Sequence, residues 1–244
     1  MNILLFAQDE LNAAHLLLTD HRAEHIRTVL RCRINDSLRV GMVNGGTGQG
    51  KIVRMDGRAV ELEVRLDQAP PAPPDVELIL ALPRPIMLRR ILKQATVLGV
   101  RRFHLIRSAK AEKSFFQTPV LEKEKIRELL LEGLTQAADT LLPEVRIHRR
   151  FKPFVQDVVP TLIGSGLLAH PGVSAYLPEV CPSSREQRGI LLAVGPEGGW
   201  NDFEVDSFLA QGFSAFSMGR RILHVDTAVV ALLAQLQLLR ETPA

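Results

Sequence analysis

The stretch Leu191-Leu192-Ala193-Val194-Gly195-Pro196-Glu197-Gly198-Gly199-Trp200, with Met218-Gly219-Arg220-Arg221-Ile222-Leu223-His224-Val225-Asp226-Thr227-Ala228 after it, decides how the second half of this chain folds. Each half is an apolar strand that empties into a glycine-rich or arginine-bearing turn, and each turn opens a helix. Two such turns side by side line one pocket. Glycine lets backbone N–H and C=O groups approach a ligand because no Cβ intervenes, and Pro196 stiffens the loop between them. In open α/β sheets ligands sit beyond the carboxyl ends of the strands, and the turns after Ala169, Val194 and Met218 all occupy that kind of position.

The glycine turn excludes two common chemistries. It has no central serine, as a nucleophile elbow requires, and it lacks the Lys-Ser/Thr of a phosphate-binding loop. Glu197 is read either as a catalytic acid or base or as an acceptor of nearby backbone N–H groups. His170, before Pro171-Gly172 at the end of another apolar strand, either lines the same pocket or is a satisfied histidine.

Outward from this element the chain keeps a strand–helix rhythm. Residues 76–82 form a run that is apolar but for Glu77, and 85–98 have helical spacing at Ile91, Leu92, Ala95 and Leu98, with Gly99 placed as the cap. Residues 103–106 read as the next strand and 123–140 as an amphipathic helix, followed by strands near 166–169, 189–194 and 213–218. Asn201-Asp202-Phe203-Glu204 resembles a capping box, with Trp200 and Val205 as its hydrophobic staple. The last helix, 227–239, is apolar on nearly every side, which predicts burial in the domain or in a subunit interface. Fully apolar strands alternating with helices predict an α/β domain with a mostly parallel sheet.

Upstream the pattern differs. Residues 68–74, QAPPAPP, hold four prolines and mark a boundary between a domain at 1–70 and one at 75–244. Before it, strands at 37–43, 50–55 and 59–66, separated by turns such as Asn44-Gly45-Gly46, predict a small β-barrel with one short helix at 21–31. Gly46-Thr47-Gly48-Gln49-Gly50 matches GxGxG, but Lys51 onward continues as strand where a dinucleotide loop would open a helix, so a hairpin turn is the better reading.

With 244 residues, 46% hydrophobic and 23% charged, the chain has the composition of an ordinary globular protein that needs no staples. Cys32 and Cys181 fit neither a CxxC nor a metal spacing and read as buried thiols in a reducing compartment. The apolar run after Met1 is too short for a signal peptide, and no stretch approaches a membrane span, so a cytoplasmic location is expected. Net charge is only +3, but residues 84–113 carry nine Lys/Arg against the single Glu112, and Arg146, Arg149, Arg150 and Lys152 form a second cluster. Such density suits neutralisation of phosphates.

The glycine turn, the Met218 to Leu223 segment and Thr227-Ala228 opening a long helix resemble the small-subunit ribosomal RNA uridine N3-methyltransferases, the E-type member of the SPOUT superfamily. His25-Ile26-Arg27-Thr28-Val29-Leu30-Arg31, Leu98-Gly99-Val100 and Glu132-Gly133-Leu134-Thr135-Gln136-Ala137 are similar to further landmarks of that family. The resemblance implies a trefoil-knotted α/β methyltransferase domain, an N-terminal PUA-like RNA-binding barrel, a homodimer, S-adenosyl-L-methionine as cofactor and no metal. It also implies that His170, Gly195, Pro196, Glu197, Gly198, Gly199, Met218, Gly219, Ile222 and Leu223 surround the methyl donor. His25, Arg27, Arg31, Arg84, Arg89 and Arg90 would hold ribosomal RNA.

Uracil N3 carries a proton and attacks only once that proton leaves, so catalysis must combine proton removal with alignment. Arg220 or Arg221 would stabilise a uridylate anion or hold a flanking phosphate, and Asp226 or His224 would accept the proton. The base must be flipped or single-stranded, because pairing buries N3. The chain departs from the family pattern at His224, where arginine is usual, and at Asp226, where glutamate is usual. A diverged paralogue acting on another RNA site, and a dimeric RNA-binding or ribosome-assembly protein without turnover, are the alternative readings.

Overall fold

A computed structural model of the chain describes residues 2–70, 76–182 and 189–241. Contacts divide the chain into two compact units, residues 1–72 with 131–142, and residues 73–130 with 143–244. The expected boundary at 70–75 falls almost wholly outside the described residues. Segment 131–142, which the sequence reading assigned to the C-terminal half, joins the first unit by its contacts.

The first unit holds β1 (Leu4–Phe6), β2 (Leu11–Asn12), β3 (His15–Leu18), α1 (His21–Thr28), β4 (Ser37–Met42), β5 (Thr47–Met55) and β6 (Val60–Gln68). The strands form one sheet in the order β1-β4-β5-β6-β3-β2, with β1 parallel to β4 and the other pairs antiparallel. Their inward positions, among them Leu4, Phe6, Leu16, Leu18, Val40, Ile52 and Leu62, make a core with Ile26 of α1. Asp20 caps α1 by accepting the Arg22 N–H at 2.9 Å. The Arg22 guanidinium also binds Glu10, and its hydrogen bonds hold both carboxylates below their usual range. Leu134 packs on Ile3 and Leu5, and Thr140 C=O accepts the Asn44 N–H at 2.7 Å.

Most of the GxGxG segment is strand rather than turn. The hairpin turn lies at Met42 to Gly46, where Gly45 N–H bonds Met42 C=O, and residues from Thr47 on are already paired in β5. A register shift between Thr47 and Gly48 presses the strands together, so that a Cβ on Gly48 would fall 2.0 Å from the Arg65 C=O. Close backbone approach at a bulge, rather than a turn, demands this glycine.

The second unit is built on β7 (Val76–Ala81), β8 (Arg102–Ile106), β9 (Glu144–His148), β10 (Ser165–Ala169), β11 (Ile190–Val194) and β12 (Ser214–Phe216). All are parallel, in the order β12-β10-β11-β7-β8-β9. The chain runs outward from β7 to β9, crosses to the other side, and returns through β10 and β11, so the strand order reverses next to β7. Ile79, Ala81, Ile106, Leu168, Leu191 and Ala193 bury one sheet face against Phe154, Trp200, Phe208 and Phe213.

Between the strands lie α2 (Pro85–Val97), α3 (Lys123–Ala137), α4 (Phe151–Pro153), which runs on as tighter and wider turns to Thr161, α5 (Leu177–Val180), α6 (Asp202–Leu209) and finally α7 (Val225–Glu241). Gly99 follows α2 at φ 87°, as a glycine cap should. The helix expected to reach residue 140 stops at Ala137, because Ala138 turns left-handed and the Asp139 carboxylate takes the N–H groups of Thr140 and Leu141. Within the single chain the last helix buries one stripe. Val229, Leu232, Leu233 and Leu236 form its inner stripe, whereas Leu238 is 66% exposed.

One polar row crosses this sheet. Arg102 and buried His104 both contact Glu77, at 2.7 and 3.0 Å, and His104 meets His148 at 3.2 Å. Burial, then the charges of His104 and Arg146, push His148 down to about 4. Both cysteines are free and half-buried rather than buried. Among the described residues no helix is long and apolar enough to cross a membrane.

Candidate functional site

The loops that leave β10, β11 and β12 meet at the carboxyl edge of the sheet, where the strand order reverses, and enclose a cavity of about 210 Å³. His170 and Pro171 come from the first loop, Gly195 to Trp200 from the second, and Ser217 to Gly219 with Arg221 to Leu223 from the third. Val225, Ala228 and Leu232, spaced by three and four, close the cavity with the inner face of α7. All ten residues expected around a methyl donor line this one space, and Arg221 joins them.

The glycine turn is locally determined. Gly199 N–H returns to Pro196 C=O at 2.8 Å, and Gly199 takes φ 68°. A Cβ on Gly195 would come within 3.2 Å of the Trp200 indole, so the loop backbone lies directly on that ring. The capping box is present: Asn201 Oδ1 accepts the Glu204 N–H at 2.8 Å and Glu204 Oε2 accepts the Asn201 N–H at 3.0 Å. Trp200 and Val205, the expected staple, share one core cluster.

Glu197 performs the structural role of its two readings. Its Oε1 accepts the backbone N–H of Arg84 at 3.0 Å, at the start of α2, where no side chain of α2 itself provides a cap.

The four residues expected to carry chemistry separate. Arg220, Arg221 and His224 are exposed, and of these only Arg221 borders the cavity. The His224 C=O accepts the Ala228 N–H at 2.8 Å and so opens α7, two residues before the expected start. Asp226 is buried; its Oδ2 pairs with Arg90 Nη1 at 3.2 Å and its Oδ1 accepts the Thr227 N–H at 3.1 Å. An acidic side chain in the first turn suits the positive end of the helix.

The residues expected to hold RNA are equally mixed. Arg31, Arg84 and Arg89 are exposed. Arg27 is tied back to the carbonyls of Ala23, Asp56 and Gly57, a local structural role. Arg90 is paired with Asp226 rather than free, and half-buried His25 has a buried Nε2 without a partner.

The sequence reading missed Trp200, Phe216, Ser217 and the α7 residues as cavity lining. The spacing of Val225, Ala228 and Leu232 carried that signal. Two buried polar atoms in the lining, Trp200 Nε1 and His170 Nδ1, have no hydrogen-bond partner. Buried polar atoms left unpaired are few in a folded protein. Among the described residues no group of three His, Cys, Asp or Glu side chains is placed to hold a metal ion.

Comparison with known proteins agrees with this architecture. Residues 70–237 match the model of an RNA methyltransferase domain, and residues 18–65 that of an RNA methyltransferase PUA domain. The chain is 31% identical to ribosomal RNA small subunit methyltransferase E of Treponema pallidum, covering 96% of this chain and 90% of the relative. It is 28% identical to the protein of the same name from Synechocystis, over 98% of this chain and 78% of the relative. A ribosomal RNA small subunit methyltransferase E from Neisseria gonorrhoeae, solved bound to S-adenosyl methionine, shares the fold with a TM-score of 0.78 at 20% identity, over 97% of this chain and 98% of that one. The chain therefore belongs to the ribosomal RNA small subunit methyltransferase E family, with an RNA methyltransferase domain and a PUA domain in one polypeptide.

Proposed function

We propose that this protein transfers a methyl group from S-adenosylmethionine to N3 of a uridine in small-subunit ribosomal RNA, in the cytoplasm and as a homodimer with a knotted second domain. The observation that carries the reading is the single cavity formed by the loops after β10, β11 and β12. Its residues suit the cofactor: bare backbone at Gly195, apolar walls from Met218, Ile222, Leu223 and Leu232, and unpartnered donors or acceptors at Trp200 Nε1 and His170 Nδ1. When bound, the cofactor supplies an electrophilic methyl group on a sulfonium.

The protein's own groups then have two tasks. Arg221, exposed at the cavity's border, balances the charge of a uridylate as N3 loses its proton. Of the two candidate bases, Asp226 has both oxygens engaged, which leaves His224, beside the cavity-lining Leu223 and Val225, to take that proton. Arg220 holds a flanking phosphate. Arg31, Arg84 and Arg89 are the exposed cations that contact the surrounding RNA.

Mass spectrometry of ribosomal RNA nucleosides from a deletion strain is the test. Loss of one N3-methyluridine, restored by the wild-type gene, is expected; persistence of every such nucleoside rejects the substrate. Calorimetry with S-adenosylmethionine separates an enzyme from an RNA-binding protein without turnover, which would bind RNA and give no heat with the cofactor. A sedimentation mass of one chain, 27.1 kDa, would remove the dimer from the reading.

A further inference from the structure

We propose that Lys110 is a positioning residue for the methyl-donor loop, locking the glycine turn in its binding shape from the neighbouring loop after β8. The proposal rests on the reading of the cavity as the S-adenosylmethionine site.

The Lys110 ammonium donates to two carbonyls of the turn, Gly198 C=O at 2.9 Å and Trp200 C=O at 3.3 Å. Its stem lies across Gly198, so that a Cβ there would meet Lys110 Cδ at 3.1 Å and Cβ at 3.2 Å. This contact accounts for glycine at 198 by the approach of another side chain, since its φ is not in the left-handed region. The partner peptide groups are engaged as well. Gly199 N–H binds Pro196 C=O, and Asn201 N–H binds Glu204 Oε2. Lys110 thus takes up the carbonyls of the same two peptide groups whose N–H atoms, at 199 and 201, are already satisfied.

The loop that carries Lys110 is itself anchored. Glu204, 2% exposed, accepts the Ala109 N–H at 2.7 Å and the Ser108 hydroxyl at 3.3 Å, and that hydroxyl accepts the Lys110 N–H at 3.4 Å. One buried carboxylate therefore serves the start of α6 and the loop after β8 together. A charged donor shared between two carbonyls is stronger than a neutral one, and a preordered loop binds without first losing conformational freedom. With the turn fixed, the indole of Trp200 stays under Gly195 as part of the cavity wall.

The test compares wild type with Lys110→Met, which keeps the stem and removes the ammonium, and Lys110→Arg, which restores charged donors. Trp200 is the sole tryptophan, so its fluorescence reports on the turn in the unliganded protein. Lys110→Met is expected to weaken S-adenosylmethionine binding about tenfold by calorimetry. It should also raise acrylamide quenching of Trp200, with quenching returning toward wild type at saturating cofactor. Lys110→Arg should recover most of both, and KM for the cofactor should rise in Lys110→Met more than kcat falls. Wild-type affinity and quenching in Lys110→Met would overturn the proposal, as would a lower melting temperature with neither readout altered. Absence of S-adenosylmethionine binding by wild type would instead overturn the cavity reading beneath it.

Discussion

Asp226→Asn separates a structural from a catalytic carboxylate. The substitution keeps the shape and one acceptor oxygen but removes the charge that faces Arg90 at 3.2 Å and sits in the first turn of α7. The Arg90 side chain is 55% exposed, so the pair behaves nearly as a surface one, with a contribution of about 0.2–1 kcal/mol. The helix N-terminus adds about 0.3–1 kcal/mol, and the two together give about 0.5–2 kcal/mol. For a chain of this size that lowers Tm by roughly 1–8 °C. A double-mutant cycle with Arg90→Met in urea should return a coupling of about 0.5 kcal/mol. The structural role further requires that Asp226→Asn and Arg90→Met reduce kcat to a similar extent and leave the acid limb of the pH profile in place. An unchanged Tm, no coupling to Arg90, and a kcat lower by orders of magnitude in Asp226→Asn alone would refute the reasoning and make Asp226 the proton acceptor.

Other outcomes follow from the packing. Because the folded protein holds His148 down at about 4, below its ordinary 6.5, the unfolded chain takes up a proton that the folded one refuses. Stability is full above pH 6.5 and declines as pH falls toward 4, by roughly 1–2 kcal/mol after allowance for the ring's partial exposure; urea midpoints at pH 7 and 4.5 should differ less in His148→Gln than in wild type. Gly48→Ala forces a Cβ onto the Arg65 carbonyl and should cost the first unit about 3 kcal/mol or more, visible as early loss of its amide protection in hydrogen exchange. Glu204→Ala strips the acceptor from two backbone N–H groups, at Ala109 and Asn201, and should destabilise the second unit by about 3 kcal/mol in chemical denaturation, whereas Ser108→Ala should cost under about 1 kcal/mol.

The apolar strands were legible because a sheet buried on both faces writes itself as apolar runs, unbroken at 190–194 and interrupted only by Glu77 at 76–81. β9 escaped notice because an edge strand needs no such run: Glu144, Arg146 and His148 alternate with only Val145 and Ile147. Likewise the caps at Gly99 and Asn201 are local chemistry, readable in four or five residues. The pairing of Arg90 with Asp226, the reach of Lys110 to Gly198, and the hold of Glu197 on Arg84 are tertiary facts with no local mark. For the site, the ten lining residues were implied by the family resemblance, while the residues alone indicated only a pocket lined by the turns after Ala169, Val194 and Met218. The charged residues next to them did not sort until their partners were seen, since an arginine on a helix reads the same whether it meets a phosphate or a carboxylate.

The adjacency of β7 and β11 has a consequence for how the chain is made. These two strands pair in the middle of the sheet, Val76 to Ile190 through Leu80 to Val194, yet all of residues 82–189 lie between them. During synthesis β7 leaves the ribosome long before its partner, with Leu78, Ile79 and Leu80 offering an apolar, unpaired edge. Closing so long a loop must precede the contacts that stabilise it, which makes central pairing slow relative to local helices and hairpins. The first unit's strands, all within the first 68 residues, can assemble in that interval; the second unit waits for its C-terminal third, and a nascent chain stalled before residue 190 should be a client for chaperones that shield apolar strands.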